Sequence, residues 1–284
     1  MADRLFRFGV VAATARGADE WTALARRAED LGYATFLTPD TLDTLPPLPA
    51  LSAAAAATST IGLGTFVLSV ANRRPEQLAW EVDGLSFLSG GRFELGLGAG
   101  RPDAERDAAR LGVPFGTVDQ RIRKLEEVIR QVRTWHDSTK APSAGADRAG
   151  AGGAGPRVLI AAGGARMLGF AARNADTVAL GLPPSTTEDG LGEPVRLVRQ
   201  ASDDFDRLEL SLGLHVVGDE VPPWLADKMG PDLPEDSIAV LSGSPRQMAD
   251  RLLRRRDVHQ ISYITVNAMY ADKLAPVVDL LSGT

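Results

Sequence analysis

Four consecutive residues, Gly163-Gly164-Ala165-Arg166, have the composition of an anion-binding turn, and we call them the phosphate turn. They follow a predicted buried strand and precede a predicted helix. Glycine lets the backbone approach a ligand closely, and the first turn of a helix offers unbonded N–H groups at its positive end. The guanidinium of Arg166 has planar donors that match a phosphate. The segment therefore predicts a phosphate site, although a tight strand-to-helix turn would use the same glycines.

A second small-residue segment, Gly96-Leu97-Gly98-Ala99-Gly100, lies where another predicted strand ends, and Arg101 follows it. Such a segment could admit a flat ligand close to the backbone, or it could serve a bulge or tight bend. Asp40 is a lone carboxylate at the end of an earlier predicted strand. It could accept a proton, orient a ligand or cap the next segment, and the pattern leaves these roles open.

The remaining residue types exclude several classes of chemistry. His136 and His259 fall at the edges of predicted elements, and His215 falls inside a predicted strand, which is typical of a hydrogen-bonded core histidine. With no cysteine, the chain has no disulfide, thiolate metal site or cysteine nucleophile. There is no nucleophile elbow, no Walker-type loop and no zinc signature, so no metal site is predicted.

Charge and hydropathy also exclude a nucleic-acid or membrane role. The formal net charge is −6, from 31 basic and 37 acidic residues, which gives no overall attraction to nucleic acid or anionic lipid. No segment reaches the ~20 apolar residues that span a bilayer, and the first residues have no apolar core of signal-peptide length. The sequence predicts a cytoplasmic protein.

Hydrophobic periodicity predicts a strict alternation of strands and helices. The predicted strands are residues 8–13, 33–37, 61–68, 92–97, 157–162, 177–180, 208–217 and 261–266. The predicted helices are residues 19–31, 48–58, 75–88, 117–135, 166–173, 193–205, 245–255 and 273–281. Such alternation implies parallel strands with right-handed crossovers.

Eight strand–helix units in a chain of 284 residues predict an α/β fold of the (β/α)8 TIM-barrel type, as one domain over residues 1–284. The alternative is an open doubly wound sheet, but its Gly-x-Gly-x-x-Gly turn is missing after the first strand. Two segments interrupt the spacing. Residues 141–156 are rich in Ala and Gly and predict a flexible loop, and residues 218–243 predict a long loop on the top face.

Several segments, taken together and in order, resemble the luciferase-like flavin and deazaflavin oxidoreductases. They are Phe8-Gly-Val, residues 27–33 (RAEDLGY), residues 37–40 (LTPD), residues 88–100 (LSGGRFELGLGAG), residues 161–168 (AAGGARML) and residues 243–250 (GSPRQMAD). The match at residues 88–100 is close to the family's most specific motif. The resemblance is nearest to the branch that uses the deazaflavin coenzyme F420, with FMN as the alternative cofactor.

The resemblance implies a barrel of the luciferase-like type with the ring of the cofactor in its mouth. It implies a non-prolyl cis peptide at Ser69-Val70 or Val70-Ala71. The cofactor-binding residues that it implies are Ser69, Val70, Ala71, Gly98, Ala99, Gly100, Gly163, Gly164, Ala165, Arg166 and Gly181. It also suggests a homodimer formed through the helices at residues 48–58 and 75–88, although alanines would equally allow close packing of helix on barrel.

Two departures from the family pattern concern the catalytic group. Many relatives have Asp-His after the second strand, whereas this chain has Asp40-Thr41, so that imidazole is missing. The residue after the strand-four glycines is Arg101, which could bind an anionic substrate or polarise a carbonyl. Asp40 and Arg101 are the predicted catalytic residues.

Three functions are consistent with these observations. The first is an F420H2-dependent oxidoreductase that moves hydride between the deazaflavin C5 and an activated C=C, C=N or alcohol/carbonyl group of a small molecule or peptide, in small-molecule or peptide biosynthesis. The second is a monooxygenase that uses FMNH2 and oxygen. The third is a non-catalytic barrel that binds a flavin-like ligand.

Overall fold

The predicted alternation of strands and helices is present in the computed structural model, which describes residues 4–101, 104–139, 155–222, 225 and 233–284. Most of the Ala/Gly-rich segment predicted at residues 141–156 lies outside the described residues, as does the central part of the loop predicted at residues 218–243. No helix among the described residues is long and apolar enough to cross a membrane.

Eleven strands and nine helices are described, with four short 3-10 turns between them. The strands are β1 (Arg7–Val11), β2 (Thr35–Thr38), β3 (Gly62–Thr65), β4 (Leu68–Ser69), β5 (Phe93–Gly98), β6 (Arg157–Ala162), β7 (Thr177–Leu180), β8 (Glu209–Leu214), β9 (Val216–Val217), β10 (Val240–Leu241) and β11 (Ile261–Asn267). The helices are α1 (Ala18–Asp30), α2 (Pro47–Ala57), α3 (Pro75–Leu88), α4 (Ala104–Arg110), α5 (Val118–Thr139), α6 (Ala165–Asn174), α7 (Gly192–Ala201), α8 (Pro245–His259) and α9 (Ala271–Leu281). The 3-10 turns are Val70–Asn72, Asp189–Leu191, Phe205–Arg207 and Ala268–Tyr270.

The main sheet has the strand order β3-β2-β1-β11-β8-β7-β6-β5-β4, and β3 pairs in addition with β5. Because β3 and β4 both run parallel to β5, they are two pieces of one interrupted strand, and the sheet has eight strand positions. Parallel strands with intervening helices in this order form the predicted (β/α)8 barrel. The open doubly wound alternative is therefore wrong.

The chain divides into two compact units. One, which we call the 37–160 unit, contains Ala12–Arg26 and Leu37–Ile160. Its core is made by the apolar strands β3 and β5 and by the alanine-rich face of α2, where Ala50, Ala54 and Ala55 are buried. The indole of Trp21 donates to the carbonyl of Ala50 at 2.7 Å, which joins the start of α1 to α2. Small side chains on α2 thus let neighbouring elements pack closely.

The other unit, which we call the 161–284 unit, contains the described residues of Met1–Val11, Arg27–Phe36 and Ala161–Thr284. In its sheet β1 pairs with β11, β11 with β8 and β8 with β7, all in parallel. Helix α8 begins with a capping box, in which Ser244 and Gln247 exchange side-chain and backbone hydrogen bonds. The guanidinium of Arg255, 1% exposed, is held by Glu188 at 2.8 Å.

Several bounds shift by a few residues from the sequence predictions, and three differences go further. The strand predicted at residues 61–68 is broken after Thr65, and the strand predicted at residues 208–217 is broken after Leu214. Helix α4 was not predicted, because its seven residues have too short an apolar pattern to stand out. The first break occurs at a bulge, and the second where the backbone bonds to another segment, as described below.

Candidate functional site

The end of strand β3 is shaped by the glycines of β5. A Cβ at Gly96 would overlap the carbonyl oxygen of Thr65, and a Cβ at Gly98 would lie 2.9 Å from Cγ2 of Val67. The hydroxyl of Thr65 also donates to the carbonyl of Gly96 at 2.7 Å and accepts from its N–H at 2.9 Å. We call this region, from Thr65 to Ser69 with Gly96, Gly98 and Gly100, the glycine edge. Gly96 and Gly98 are required for the close approach of a bulge.

The bulge contains the one non-prolyl cis peptide bond of the described residues, between Phe66 and Val67. The resemblance placed that bond at Ser69-Val70 or Val70-Ala71, and this prediction is wrong. It assumed that the strand continues to Leu68. Instead the bulge interrupts the strand after Thr65, while the N–H of Phe66 still donates to the carbonyl of Thr38, the last residue of the neighbouring strand β2, at 2.8 Å. The strand then resumes as Leu68-Ser69, opposite Leu97 and Gly98.

Asp40 holds the chain just beyond this bulge. One of its carboxylate oxygens accepts from the N–H of Ser69 at 3.0 Å, and the other accepts from the guanidinium of Arg73 at 2.9 Å. The carboxylate is 9% exposed and the Arg73 side chain is 19% exposed. Both oxygens of Asp40 are therefore engaged in positioning the segment that carries Ser69.

Five buried polar atoms of the 37–160 unit have no hydrogen-bond partner among the described residues: Thr38 Oγ1, Ser69 Oγ, Asn72 Oδ1, Asp107 Oδ1 and Trp135 Nε1. An unsatisfied buried donor or acceptor costs about 1–3 kcal/mol, so such groups are normally completed by a ligand or by water. Ser69 Oγ is 3.4 Å from the position that a Cβ of Gly100 would occupy, which places this hydroxyl on the glycine edge. It is available to a polar atom of a bound ring.

Val70 and Ala71, which the resemblance assigned to the cofactor, are 0% and 2% exposed in the 3-10 turn that follows β4. The carbonyl of Ala71 accepts from Lys124 Nζ at 3.0 Å. Burial lowers the pKa of that lysine, and the Coulomb attraction of Glu127 opposes the shift. Sequence reasoning missed Val67, which is half-buried directly against Gly98. Only the break after Thr65 identifies it.

Phe115, which no motif singled out, closes one side of the glycine edge. Gly100 has a φ of +87°, and a Cβ there would lie 3.0 Å from the Phe115 ring. The guanidinium of Arg121 lies over this ring, 4.1 Å from its centroid, and donates to the carbonyls of Ala99 and Gly116, each at 2.7 Å. Gly100 thus admits an aromatic side chain. Arg101, which follows, is exposed.

The phosphate turn lies in the 161–284 unit and combines a tight glycine with an open one. A Cβ at Gly163 would overlap the carbonyl oxygen of Gly181, whose own N–H donates to the carbonyl of Ala162 at 2.9 Å. Gly163 and Gly181 therefore tie the ends of β6 and β7 together. By contrast, a Cβ at Gly164 would meet no atom within 4 Å.

Gly164 is the N-cap of α6, with φ −92° and ψ 155°, and no side chain caps the helix. Ala165 and Arg166 are exposed in its first turn. Backbone N–H groups at the start of this ten-residue helix are thus presented at the surface beside open space. This is the geometry that an anion requires at a helix N-terminus.

The structure moves His215 out of the core, so its sequence-based placement is wrong. β8 ends at Leu214, and the N–H groups of His215 and Val216 both turn to the carbonyl of Ala239, at 2.8 and 3.1 Å. The His215 side chain is exposed at this break. Partial burial of the imidazole lowers its pKa. His136 lies within α5, and His259 is the last residue of α8.

No group of three or more His, Cys, Asp or Glu side chains within the described parts of the chain could hold a metal ion. What the two regions offer is a shaped backbone edge with a free buried hydroxyl and an uncapped helix start.

Comparisons with known proteins give a matching family model and several solved structures of similar fold. The model of the luciferase-like monooxygenase family matches residues 5–222. No curated protein matches the sequence.

Solved structures of similar fold include enzymes with either cofactor. The coenzyme F420-dependent tetrahydromethanopterin reductase of Methanopyrus kandleri has a TM-score of 0.75 at 16% identity, over 98% of this chain and 99% of that one. An F420-dependent secondary alcohol dehydrogenase has a TM-score of 0.72 at 14% identity, over 98% of each chain. The FMN-bound 3,6-diketocamphane monooxygenase of Pseudomonas putida has a TM-score of 0.73 at 15% identity, over 99% of this chain and 98% of that one. At these identities the likeness shows the fold alone.

Proposed function

Because the chain belongs to the luciferase-like monooxygenase family, whose model covers residues 5–222, we propose that it is an F420-dependent oxidoreductase. It would transfer hydride between the deazaflavin C5 and an activated C=C, C=N or alcohol/carbonyl group of a small-molecule or peptide substrate. The family and its structural neighbours support a flavin or deazaflavin cofactor. The preference for F420 rests on the sequence resemblance to that branch.

The observation that carries the proposal is the open, uncapped turn at Gly164. No side chain caps the first turn of α6, so its N–H groups stay available to a ligand. We assign Gly163, Gly164, Ala165 and Arg166 to the phosphate of the cofactor, with Gly181 fixing the position of Gly163. A neutral ligand would gain little from this site, whereas a phosphate would receive several hydrogen bonds.

We assign the ring of the cofactor to the glycine edge. Val67, Gly98, Ala99 and Gly100 would present backbone and one small apolar side chain to the ring, and Ser69 Oγ would hydrogen-bond to a polar ring atom. The bound deazaflavin would supply the hydride chemistry. The chain would bind and orient the two reactants. Holding them in the geometry of hydride transfer accelerates the reaction.

Asp40 then acts through Ser69 instead of on the substrate, because both of its oxygens are already bonded. It is a positioning residue that, with Arg73, fixes where the Ser69 hydroxyl lies on the glycine edge. Arg101 remains assigned to the substrate, since its exposed guanidinium can bind an anionic group or polarise a carbonyl oxygen.

The proposed reaction is tested by turnover with each reduced cofactor. Purified protein is mixed without oxygen with F420H2 and an activated alkene such as cyclohex-2-enone, an imine or a ketone, and F420 formation is followed by its fluorescence. Product formation above the protein-free rate supports the reductase. A second assay measures oxygen uptake with FMNH2.

The monooxygenase is the second candidate, and the FMN-bound neighbour favours it. Oxygen uptake with FMNH2 that yields an oxygenated product, together with no F420H2 oxidation, would replace the first proposal by the second. Binding of a cofactor without turnover of any substrate in the panel would favour the non-catalytic barrel.

We also propose that the protein is a homodimer. A groove of 710 Å³ between α2 and α3 is lined by apolar and polar side chains, and two of its lining residues, Trp80 and Leu88, are 59% and 68% exposed. Trp80→Glu should give a monomer in light scattering, whereas Leu280→Glu, which places the same charge on α9, should stay dimeric. A monomeric wild-type protein would contradict the proposal.

A further inference from the structure

The charged side chains that bond to the backbone around the glycine edge leave a surplus of positive charge there, in a chain whose formal net charge is −6. Asp40 accepts from the N–H of Ser69, and Arg73 neutralises it at 2.9 Å. Arg121 and Lys124, one turn apart on α5, donate to the carbonyls of two residues assigned to the cofactor, Ala99 and Ala71. Neither of these two cations forms an ion pair with a carboxylate among the described residues.

The carboxylates of neighbouring elements do not cancel the charges of Arg121 and Lys124. Helix α3 packs against α5, and its carboxylates form no ion pair with either cation within the described part of the chain. They are Glu76, Glu81 and Asp83. Glu127 attracts Lys124 along α5 and is itself paired with Arg130 at 4.0 Å. The positive charge of Arg121 is therefore available to a ligand.

Arg121 lies directly beside the residues assigned to the ring of the cofactor. Its Nε donates to the carbonyl of Ala99 at 2.7 Å, and its guanidinium lies 4.1 Å from the centroid of the Phe115 side chain. That side chain and Ser69 Oγ both come within 3.4 Å of the point where a Cβ of Gly100 would be. All of these residues belong to the 37–160 unit, so their relative placement is defined.

The guanidinium of Arg121 is held in place and still has unused donors. Its Nη1 donates to the carbonyl of Gly116 at 2.7 Å, so two of its five N–H groups are bonded and three have no partner among the described residues. The following turn is fixed as well, because the N–H of Thr117 donates to Gln120 Oε1 at 2.7 Å. A guanidinium that is already ordered loses little side-chain freedom when it binds an oxygen anion.

The two candidate cofactors differ in a charge that such a guanidinium would detect. F420 carries a hydroxyl group on the outer ring, at a position where FMN carries a methyl group. Conjugation with the electron-poor ring system makes this hydroxyl more acidic than the phenol of tyrosine, whose pKa is about 10. Oxidised F420 therefore ionises to a ring anion under conditions in which the ring of oxidised FMN stays neutral. A positive charge nearby favours the ionised form.

We propose that Arg121 binds the ionised ring hydroxyl of F420 and thereby makes the glycine edge select a deazaflavin over a flavin, an assignment that rests on the proposed function. Arg121 is then a specificity-determining residue, because the methyl group of FMN offers it no anion. Lys124 adds a weaker attraction from the carbonyl of Ala71. Arg101 stays assigned to the substrate.

The ionisation of bound F420 tests this assignment, since the visible absorption of the ring differs between the hydroxyl and its anion. In protein saturated with F420, the pKa of the ring hydroxyl should be lower by about 1 than in free F420. Arg121→Gln should remove most of this change, and Arg121→Lys, which keeps the charge, should retain part of it. Arg123→Gln removes the same charge from an exposed position on α5 and should keep the full change.

Affinity gives a second measurement with the opposite cofactor as its control. A ring pKa that is lower by 1 in the complex means that the anion binds about tenfold more tightly than the neutral ring. The affinity of the wild-type protein for F420 should therefore rise about tenfold between the pKa of the complex and that of free F420, and Arg121→Gln should show little of this rise. FMN should bind Arg121→Gln and the wild type equally at each pH.

The outcomes separate this inference from the proposed function. An unchanged ring pKa in wild-type protein saturated with F420 would overturn the role of Arg121 and leave the reductase proposal standing, and this measurement needs no variant. Equal losses of F420 and FMN affinity in Arg121→Gln would also overturn it, because the residue would then serve the fold. Failure of the wild-type protein to bind F420 would overturn both proposals together.

Discussion

The glycine edge and the phosphate turn use the same residue type for opposite purposes. At the glycine edge, Gly96 and Gly98 leave no room, because the bulge at Phe66-Val67 fills the space that side chains would take. At the phosphate turn, Gly164 is surrounded by open space. The first set of glycines shapes the protein itself, and the second leaves room for something else. A glycine motif alone does not distinguish these cases; its surroundings do.

The largest expected effect is on stability, from Gly96→Ala. The new Cβ would overlap the Thr65 carbonyl, a backbone atom that cannot rotate away. We expect the free energy of unfolding to fall by at least about 3 kcal/mol, at the upper end for overpacking. Urea unfolding followed by circular dichroism measures it.

Gly164→Ala is the matched control for that change, since its Cβ meets no atom within 4 Å. Its free energy of unfolding should stay within about 0.5 kcal/mol of the wild type. Equal losses in the two variants would show that the proposed difference between the regions does not exist.

The next effect separates binding from stability at the phosphate turn. Aspartate is a good N-cap residue, so Gly164→Asp should leave the stability of α6 unchanged or slightly raised. The same carboxylate would repel the phosphate, and we expect the Kd of the cofactor to rise about 100-fold, or ~2.7 kcal/mol.

Gly164→Asn has nearly the same shape without the charge and should bind the cofactor within about threefold of the wild type. Calorimetric titration and thermal unfolding of all three proteins give both quantities. Unchanged affinity in Gly164→Asp would remove the turn from the binding site.

Asp40→Asn tests whether the glycine edge is held by its ion pair. The amide oxygen can still accept from the N–H of Ser69, but Arg73 loses its partner in a half-buried position. We expect the free energy of unfolding to fall by about 1–2 kcal/mol. This loss is smaller than for breaking a fully buried ion pair, because Arg73 is 19% exposed. A double-mutant cycle with Arg73→Met should give a coupling energy of about 1 kcal/mol, and a coupling near zero would contradict the role.

The smallest expected effect has opposite signs in stability and binding. Ser69 Oγ is buried without a partner among the described residues, so Ser69→Ala should leave the ligand-free protein as stable or up to about 1 kcal/mol more stable. If the hydroxyl bonds to the ring, the same variant should bind the cofactor about 5–10-fold more weakly. Lower stability with unchanged affinity would mean that the hydroxyl serves the fold.

The sequence predicts helices and strands well where the hydrophobic pattern is local. The bounds of α3, β6 and β7 agree with prediction to the residue, and the start of α8 follows from its capping box. The breaks after Thr65 and Leu214 could not be predicted, because both lie inside continuous apolar runs. The first coincides with the bulge that fits against Gly96 and Gly98, and the second with backbone bonds to the distant carbonyl of Ala239. Val67 and His215 were missed or misplaced for that reason.

Candidate residues defined by shape were harder to predict than those defined by a motif. The phosphate turn is visible as Gly-Gly-Ala-Arg, and the structure exposes all four of its residues. Phe115 belongs to no motif. Its position depends on Gly100, where a Cβ would crowd the ring, and on Arg121, which lies over the ring. A single sequence does not contain that contact.

The most direct test of the central claim is a side-by-side equilibrium titration of the wild-type protein with F420 and with FMN. We expect saturable binding of both phosphate-bearing cofactors, with F420 bound more tightly, and weak binding of riboflavin, which has the ring without the phosphate. Preference for FMN would shift the function to oxygen chemistry. Binding of riboflavin as tight as that of FMN would contradict the role of the phosphate turn, and binding of none of the three would contradict the account.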